Sequence, residues 1–362
     1  MVLKLPPLPQ RKDLVHPLSM DDDELELEAN RLMERIGQKM RWSLDACRTI
    51  APLTLKINRL KKEKDVILIA HTYQTPDIVY GVADAVGDSY TLSKIARDAP
   101  QSTILFSSVR FMAETAKILS PDKTVLHPSP EAGCSLSEGI DADDVRKLRA
   151  LHPGAPVACY INTTAAVKAE CDVCVTSSNY LSIAENLPGD ELIFVPDRLM
   201  GQHLRTHLEG KKTVYLHEAD CEVHAAFNTT SIQRQRREAR KRGIELRVLA
   251  HPECDADVLA ASDFVGSSER ILIEAKRIAS EEEAAVMMIT ECGTAERAIA
   301  ESEKSIELMG TCSMCRHMKK THLEDILQAI ESPRGDQIVE IDDDVIGRAR
   351  DCLNQMFELA ES

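Results

Sequence analysis

Three segments of the chain carry one pattern, and that pattern limits the fold more than any other feature. "VADAVGDSYTLSKIA" (82–96), "ECDVCVTSSNYLSIA" (170–184) and "ASDFVGSSERILIEA" (261–275) share an acid-bearing start, a short stretch ending in valine, a Gly/Thr/Ser turn and a helical pattern. Their closing serines, Ser89, Ser178 and Ser268, stand 89 and 90 residues apart. A fixed period of this kind means one supersecondary unit used repeatedly.

Between the copies run short apolar stretches: "DVILIAHTYQ" (65–74), "STILFSSVR" (102–110), "APVACYINTT" (155–164), "ELIFVPD" (191–197), "ELRVLAHPE" (245–253) and "AAVMMITE" (284–291). Short runs rich in Val, Ile and Leu that lead into helical patterns read as parallel strands of βαβ units. The expected class is α/β: three pseudo-threefold-related, three-layer αβα domains with short parallel sheets around a central cavity. Each copy opens on a strand that ends in polar residues, His71 and Tyr73, then Tyr160 and Asn162, then His251 and Glu253. Open α/β sheets bind ligands at the carboxyl ends of their strands, so three edges face one shared centre.

With 362 residues, 43% hydrophobic and 28% charged, the chain is long enough for several small domains. A net charge of -15 argues against nucleic acid as a partner, because that affinity rests on neutralising phosphates. The basic run "RQRREARKR" (234–242) reads as a solvated helix face. No apolar stretch approaches the roughly 20 residues of a membrane span, and "MVLKLPPLPQRKDLVHP" lacks the apolar core of a secretory signal. A cytoplasmic protein without membrane contact is expected. Residues 1 to about 20 are Pro-rich and read as loose, and the acidic "DDDELELEANRLM" that follows should open a helix capped by its own aspartates. Residues 1–45 are therefore expected to be a partly helical extension outside the main body.

Eleven cysteines in a reducing compartment do not suggest a disulfide framework. The end of each repeat carries a loop cysteine: "LHPSPEAGC" ends at Cys134, "YLHEADC" at Cys221, and "ELMGTCSMC" holds Cys312 and Cys315. One per repeat places three thiolates around an axis, which suits a [4Fe–4S] cube with one open iron; unrelated loop cysteines are the plain alternative. A zinc site made from "CDVC" (171–174) and "CSMC" (312–315) is disfavoured. Cys171 and Cys174 fall in a predicted strand, where residues three apart point to opposite faces. A thioredoxin-like dithiol should open a helix after a strand near the N-terminal end of such a fold, and neither pair does.

The motifs "VRFMAETAKILSPDKTVLHP" (109–128), "EAGCSL" (131–136), "YINTTAAVKA" (160–169), "VTSSN" (175–179), "PDRLMG" (196–201), "CEVH" (221–224), "HPE" (251–253) and "VGSS" (265–268) together resemble the quinolinate synthase family, in its order and spacing, from about residue 50 to the C-terminus. The resemblance implies three homologous α/β domains around a [4Fe–4S] cluster held by one cysteine from each. It implies condensation of iminoaspartate with dihydroxyacetone phosphate to quinolinate, phosphate and water, for NAD biosynthesis. By motif, Cys134, Cys221 and Cys315 match the ligands. Cys315 is preferred to Cys312 because the family has a methionine three residues after the ligating cysteine, as Met318 is here. Cys312 is then either structural or free to form a reversible disulfide with Cys315. The implied domains are 46–133 with 316–362, 134–220, and 221–315.

Two carboxylates and a phosphate need anion holders. The "GDS", "TSS" and "GSS" turns ahead of helices supply them, with Ser89, Ser177 and Ser268 as donors or as plain caps. Proton transfers near neutral pH fall to histidines and a tuned carboxylate. Glu253 is the expected general base, His224 and His251 orient substrate or shuttle protons, and His71 lines the cavity. Tyr73, Tyr160 and Asn162 hydrogen-bond intermediates, either tyrosine also serving as an acid. The open iron is expected to act as a Lewis acid. An aspartate oxidase or an aspartate dehydrogenase is the expected supplier of iminoaspartate and a possible transient partner. Departures from the family are Thr72, Ser268 for threonine, Arg316 for proline, and the charged 291–308 segment. The rivals are an iron–sulfur hydro-lyase on another hydroxy acid and a non-catalytic redox sensor. The polar strand ends speak against a sensor.

Overall fold

A computed structural model of the chain describes residues 20–361, so the Pro-rich opening lies outside the described residues. Three sheets, each of parallel strands only, organise it. The first joins β1 (Val66–His71), β2 (Ala85–Gly87), β3 (Thr103–Ser107) and β4 (Thr124–Leu126) in the order β2-β1-β3-β4. The second joins β5 (Val157–Tyr160), β6 (Val173–Val175), β7 (Glu191–Val195) and β8 (Thr213–Leu216) in the order β6-β5-β7-β8. The third, of β9 (Glu245–Ala250), β10 (Phe264–Val265) and β11 (Ala284–Ile289), runs β10-β9-β11. Among the described residues it has no fourth strand; a parallel bridge from Leu308 to Val286 stands in that place.

All six apolar runs read from the sequence form strands. They lack polar alternation because both faces are covered, as the wholly buried β5 shows. In each sheet a repeat strand, β2, β6 or β10, flanks the strand whose end carries the polar pair.

The turns after these strands are not alike. Asp88 caps the helix Ser89–Asp98 by accepting the Thr91 N–H at 3.0 Å, and Ser267 caps Ser268–Glu281 through Arg270 at 3.4 Å. After β6 the helix starts only at Tyr180, with Asn179 at its N-cap. Asn179 turns its side chain back to accept the Thr176 N–H at 2.7 Å, leaving Ser178 exposed. The "TSS" turn is thus no helix first turn, and the serine period marks a sequence register that the second helix start does not follow. Another correction concerns "CDVC". β6 begins at Val173, so Cys171 precedes the strand and the alternation of faces does not separate it from Cys174.

At the N-terminal end, Asp21 accepts the Asp23 N–H at 3.3 Å and caps the helix Asp22–Leu32. Ala29, Leu32, Ile36 and Met40 share one apolar cluster with Val66, Leu68 and Ala70 of β1, so this part of the extension packs onto the first sheet's core and not outside it. The basic run lies on the helix Thr229–Lys241, which buries only Ile232 and Ala239. Near the C-terminus, Leu323–Glu331 packs on the helix Leu44–Glu63 and β3, and Ile338 bridges to Leu126. The last helix, Asp343–Glu361, crosses to β6 and to the helices Arg110–Leu119 and Ala165–Lys168. Among the described residues no helix is long and apolar enough to cross a membrane.

Candidate active site

The carboxyl ends of β1, β5 and β9 open on one cavity, with about 730 Å³ of empty space partly continuous with solvent. All the site residues picked out from the sequence line it: His71, Tyr73, Tyr160, Asn162, His224, His251, Glu253, Ser89, Ser177, Ser268, Cys134, Cys221 and Cys315. Among the described lining residues there is no lysine or arginine. The polar groups its wall offers include the hydroxyls of Ser89, Ser177 and Ser268 and the imidazoles of His71, His224 and His251.

Three backbone anchors position the cysteines. The Arg110 N–H donates to the Ala132 carbonyl at 2.8 Å, Arg198 to Ala219 at 2.8 Å, and Cys292 to Ser313 at 3.1 Å. Each donor is the first residue of the helix that follows β3, β7 or β11. Two residues past each acceptor stands a cavity cysteine, Cys134, Cys221 and Cys315 respectively. Cys312 lies ahead of its anchor and is disulfide-bonded to Cys292, not to Cys315. The Cys292–Ser313 hydrogen bond lays the loop against the helix start and so sets these two sulfurs together. The other nine cysteines are free, so this single bond is no framework.

Glu291, fully buried, fastens the same loop. Its Oε1 accepts the Cys315 N–H at 3.1 Å and meets Lys319 Nζ at 3.1 Å, while Oε2 accepts the Gly293 N–H at 2.5 Å. Glycine is needed at 293, because a Cβ there would strike the Thr72 carbonyl. Thr72 and the charged 291–308 segment are linked in space. Thr72 Oγ1 accepts from Arg297 at 2.9 Å, and Arg297 also meets Glu269 at 2.9 Å. Arg316, beside Cys315, pairs at 2.9 Å with Glu222, beside Cys221.

A hydrogen-bonded chain runs along the cavity wall. Ser268 Oγ lies 2.6 Å from the Tyr73 hydroxyl, which is 3.3 Å from Thr290 Oγ1, itself 3.2 Å from His224 Nε2. His224 Nδ1 lies 2.5 Å from Glu253 Oε2, and His251 Nδ1 lies 3.7 Å from the same oxygen. The rings of His224 and His251 stack 4.4 Å apart. His71 Nδ1 accepts the Tyr73 N–H at 3.1 Å, so in the neutral ring Nε2 carries the proton. Thr290, fully buried in the middle of this chain, was missed from the sequence, as was Glu291. Both end "AAVMMITE", where the strand-end rule already pointed.

Burial pushes the Glu253 carboxyl up, but the His224 imidazole against it outweighs burial and keeps the group ionised. Burial, then the Glu253 charge, raises both Tyr73 and Tyr160, which stay neutral phenols. Burial also lifts the thiols, Cys134 to about 12, Cys315 upward and Cys221 well above the ordinary value. Three thiols that prefer protons in the bare protein become thiolates when a cationic centre compensates them, and that donor set fits an iron–sulfur cluster. Cys221, His224 and Glu253 also place one ligand atom each within 4.8 Å of one another.

Burial lowers His71 and His251 to about 3, aided by Lys319 and by His224 respectively, and lowers His127 to about 4. These groups stay neutral when folded but take protons near 6.5 when unfolded, so stability is lost as pH falls below that value. The slope is roughly 1.4 kcal/mol per group and pH unit. Thermal unfolding midpoints are expected to fall from about pH 7 to about pH 5, and less steeply for His127→Asn. A flat profile would contradict this.

Among proteins of known family, residues 55–358 match the family model described as "NadA: Quinolinate synthetase A protein". The quinolinate synthase of Caulobacter vibrioides (strain NA1000 / CB15N) is 39% identical over 343 residues, covering 93% of this chain and 89% of that protein. That of Sinorhizobium medicae (strain WSM419) is 40% identical over 311 residues, covering 86% and 83%. That of Xylella fastidiosa (strain Temecula1 / ATCC 700964) is 38% identical over 303, covering 84% and 86%. With its sequence motifs met in one cavity, the chain belongs to the quinolinate synthase family of enzymes.

Proposed function

We propose that this enzyme condenses iminoaspartate with dihydroxyacetone phosphate to give quinolinate, phosphate and water in the cytoplasm, as a step toward NAD. The observation that carries this reading is the meeting of three equivalently anchored loop cysteines with a buried Glu–His–Tyr set in one cavity. Cys134, Cys221 and Cys315 would hold a [4Fe–4S] cluster, which when bound supplies an iron with an open position acting as a Lewis acid. The repeated strand order supports three related α/β domains around the cavity: 46–133 with 316–362, 134–220, and 221–315.

The chain's own groups then divide the work. Ser89 and Ser268, as first residues of their helices, offer hydroxyl and backbone donors to carboxylate or phosphate, and Ser177 adds a hydroxyl from its turn. His71 presents Nε2–H as a further donor, and Asn162 an amide. Glu253 and His224 act as one proton-holding pair: the carboxylate takes a proton from substrate and the 2.5 Å contact spreads it onto the imidazole. His251 stacks on His224 and fixes its plane. Tyr73 and Tyr160, held neutral, return protons to departing oxygens. Iminoaspartate arises from oxidation of aspartate, and an aspartate oxidase or dehydrogenase in transient contact would deliver it.

A mononuclear metal on Cys221, His224 and Glu253 is the second reading, favoured by the closeness of those donors. Anaerobically purified protein assayed with iminoaspartate and the triose phosphate separates the cases. Quinolinate formation with about four irons per chain supports the cluster enzyme. Zinc without iron, or iron without quinolinate, overturns it in favour of the second reading, a hydro-lyase or a sensor.

A further inference from the structure

Four cysteines meet outside the cavity. Cys159 on β5 and Cys174 on β6 are register partners in adjacent parallel strands. Cys352 comes from the final helix, its Sγ 3.7 Å from that of Cys159. Cys171 approaches from the turn ahead of β6, and of the three neighbours Cys352 is the one whose sulfur meets that of Cys159. All four are buried and free. Cys171 and Cys352 border a surface cleft, with Arg149 and Arg348 on its rim.

The arrangement is a hub, not a cage. Among the described residues the only group of three or more donors close enough to hold one ion is the set at the active site, so the outer thiols are spread around Cys159. A hub has different chemistry. The neighbouring sulfurs lower the Cys159 thiol, while burial raises Cys171, Cys174 and Cys352. One sulfur is therefore the nucleophile and the others stay protonated. Cys171 donates its S–H to the Val167 carbonyl at 3.1 Å and Cys174 to that of Val175 at 3.9 Å, which leaves Cys352 as the thiol partnered with Cys159.

We propose that Cys159 and Cys352 form a second, oxidisable site, at which a hydroperoxide converts the pair to a disulfide joining β5 to the last helix. The Cys159 thiolate attacks the terminal peroxide oxygen, the O–O bond breaks, and the departing oxygen leaves as water or an alcohol after taking a proton. The sulfenic acid so formed is attacked by the Cys352 sulfur. The S–S bond forms, the S–O bond breaks, and the hydroxyl leaves as water with the Cys352 proton. The two sulfurs lose two electrons and the peroxide gains them. The sulfurs already touch, and bonding at about 2.05 Å draws them together by about 1.6 Å. Cys159 directly precedes Tyr160 of the cavity.

The test is independent of the assigned reaction. The anaerobically purified holoprotein is treated with limiting hydrogen peroxide, blocked with an alkylating agent, digested and mapped by mass spectrometry. A Cys159–Cys352 cross-linked peptide, lost on treatment with dithiothreitol and formed before the lone buried Cys47 and Cys254 react, is expected. Recovery of both residues as free thiols at doses that oxidise Cys254 overturns the proposal. In Cys352→Ser, Cys159 is expected to gain oxygen faster than Cys254; equal rates overturn it as well.

Discussion

Glu253→Gln is expected to lower turnover by about 10²–10⁴-fold, the range lost with a positioned proton-transfer group, while the visible absorption of the cluster is unchanged. Glutamine keeps the shape and still accepts from His224, so the fold near Cys221 has no reason to move. What it removes is the charge. Without the carboxylate no acceptor for a substrate proton remains at the point where His224 lies 2.5 Å and His251 3.7 Å away. A carboxylate held below its usual range is a weak base alone, and its coupling to His224 is what lets the pair take and return a proton. His224→Ala is therefore expected to cost a similar factor, and the double variant little more than either single one, because the two act as a unit. Rates of quinolinate formation under anaerobic conditions check this; a Glu253→Gln enzyme with wild-type kcat, or additive losses, would sink the pairing.

Much of this site was legible because its residues stand at strand ends, where period, apolar run and polar terminus coincide in the sequence. His71, Tyr160 and His251 follow from that rule without any knowledge of contacts. Thr290 and Glu291 obeyed it too, but a threonine and a glutamate after "AAVMMI" are ordinary until Tyr73, His224 and the Cys315 N–H are seen around them. β4 and β8, with three and four residues, are too short to show a period. The second serine turn misled because similar local sequence does not fix where a helix starts: Asn179, with no counterpart in the other copies, recruits the Thr176 N–H and delays the first turn. The Cys292–Cys312 bond and the Cys159 hub join segments far apart in the chain, and spacing alone could not show either. The premise for "CDVC" failed by two residues in where β6 begins, while its conclusion stands: among the described residues Cys171 and Cys174 join no group close enough to hold one ion.

The cysteines allow a sharper expectation. Cys134→Ala, Cys221→Ala and Cys315→Ala should each take bound iron from about four per chain to near zero, whereas Cys312→Ala should leave most of it. The reason lies in the anchors. Cys315 holds the same backbone place relative to Ser313 that Cys134 holds to Ala132 and Cys221 to Ala219. Cys312 does not line the cavity and spends its sulfur on Cys292. Removing Cys312 breaks one tie between loop and helix, but the Cys292 N–H to Ser313 hydrogen bond and the Glu291 grip on the Cys315 N–H remain. Each net hydrogen bond is worth about 0.5–1.5 kcal/mol, and roughly twice that to a charged acceptor, enough to hold a loop that Lys319 also pins. Removing Cys315 leaves the loop in place and the third thiolate missing, a loss that no anchor offsets. Iron analysis and visible spectra of the four anaerobic variants decide the matter: iron retained in Cys315→Ala but lost in Cys312→Ala would transfer the ligand role to Cys312 and show that the matching anchors do not identify the ligating residue.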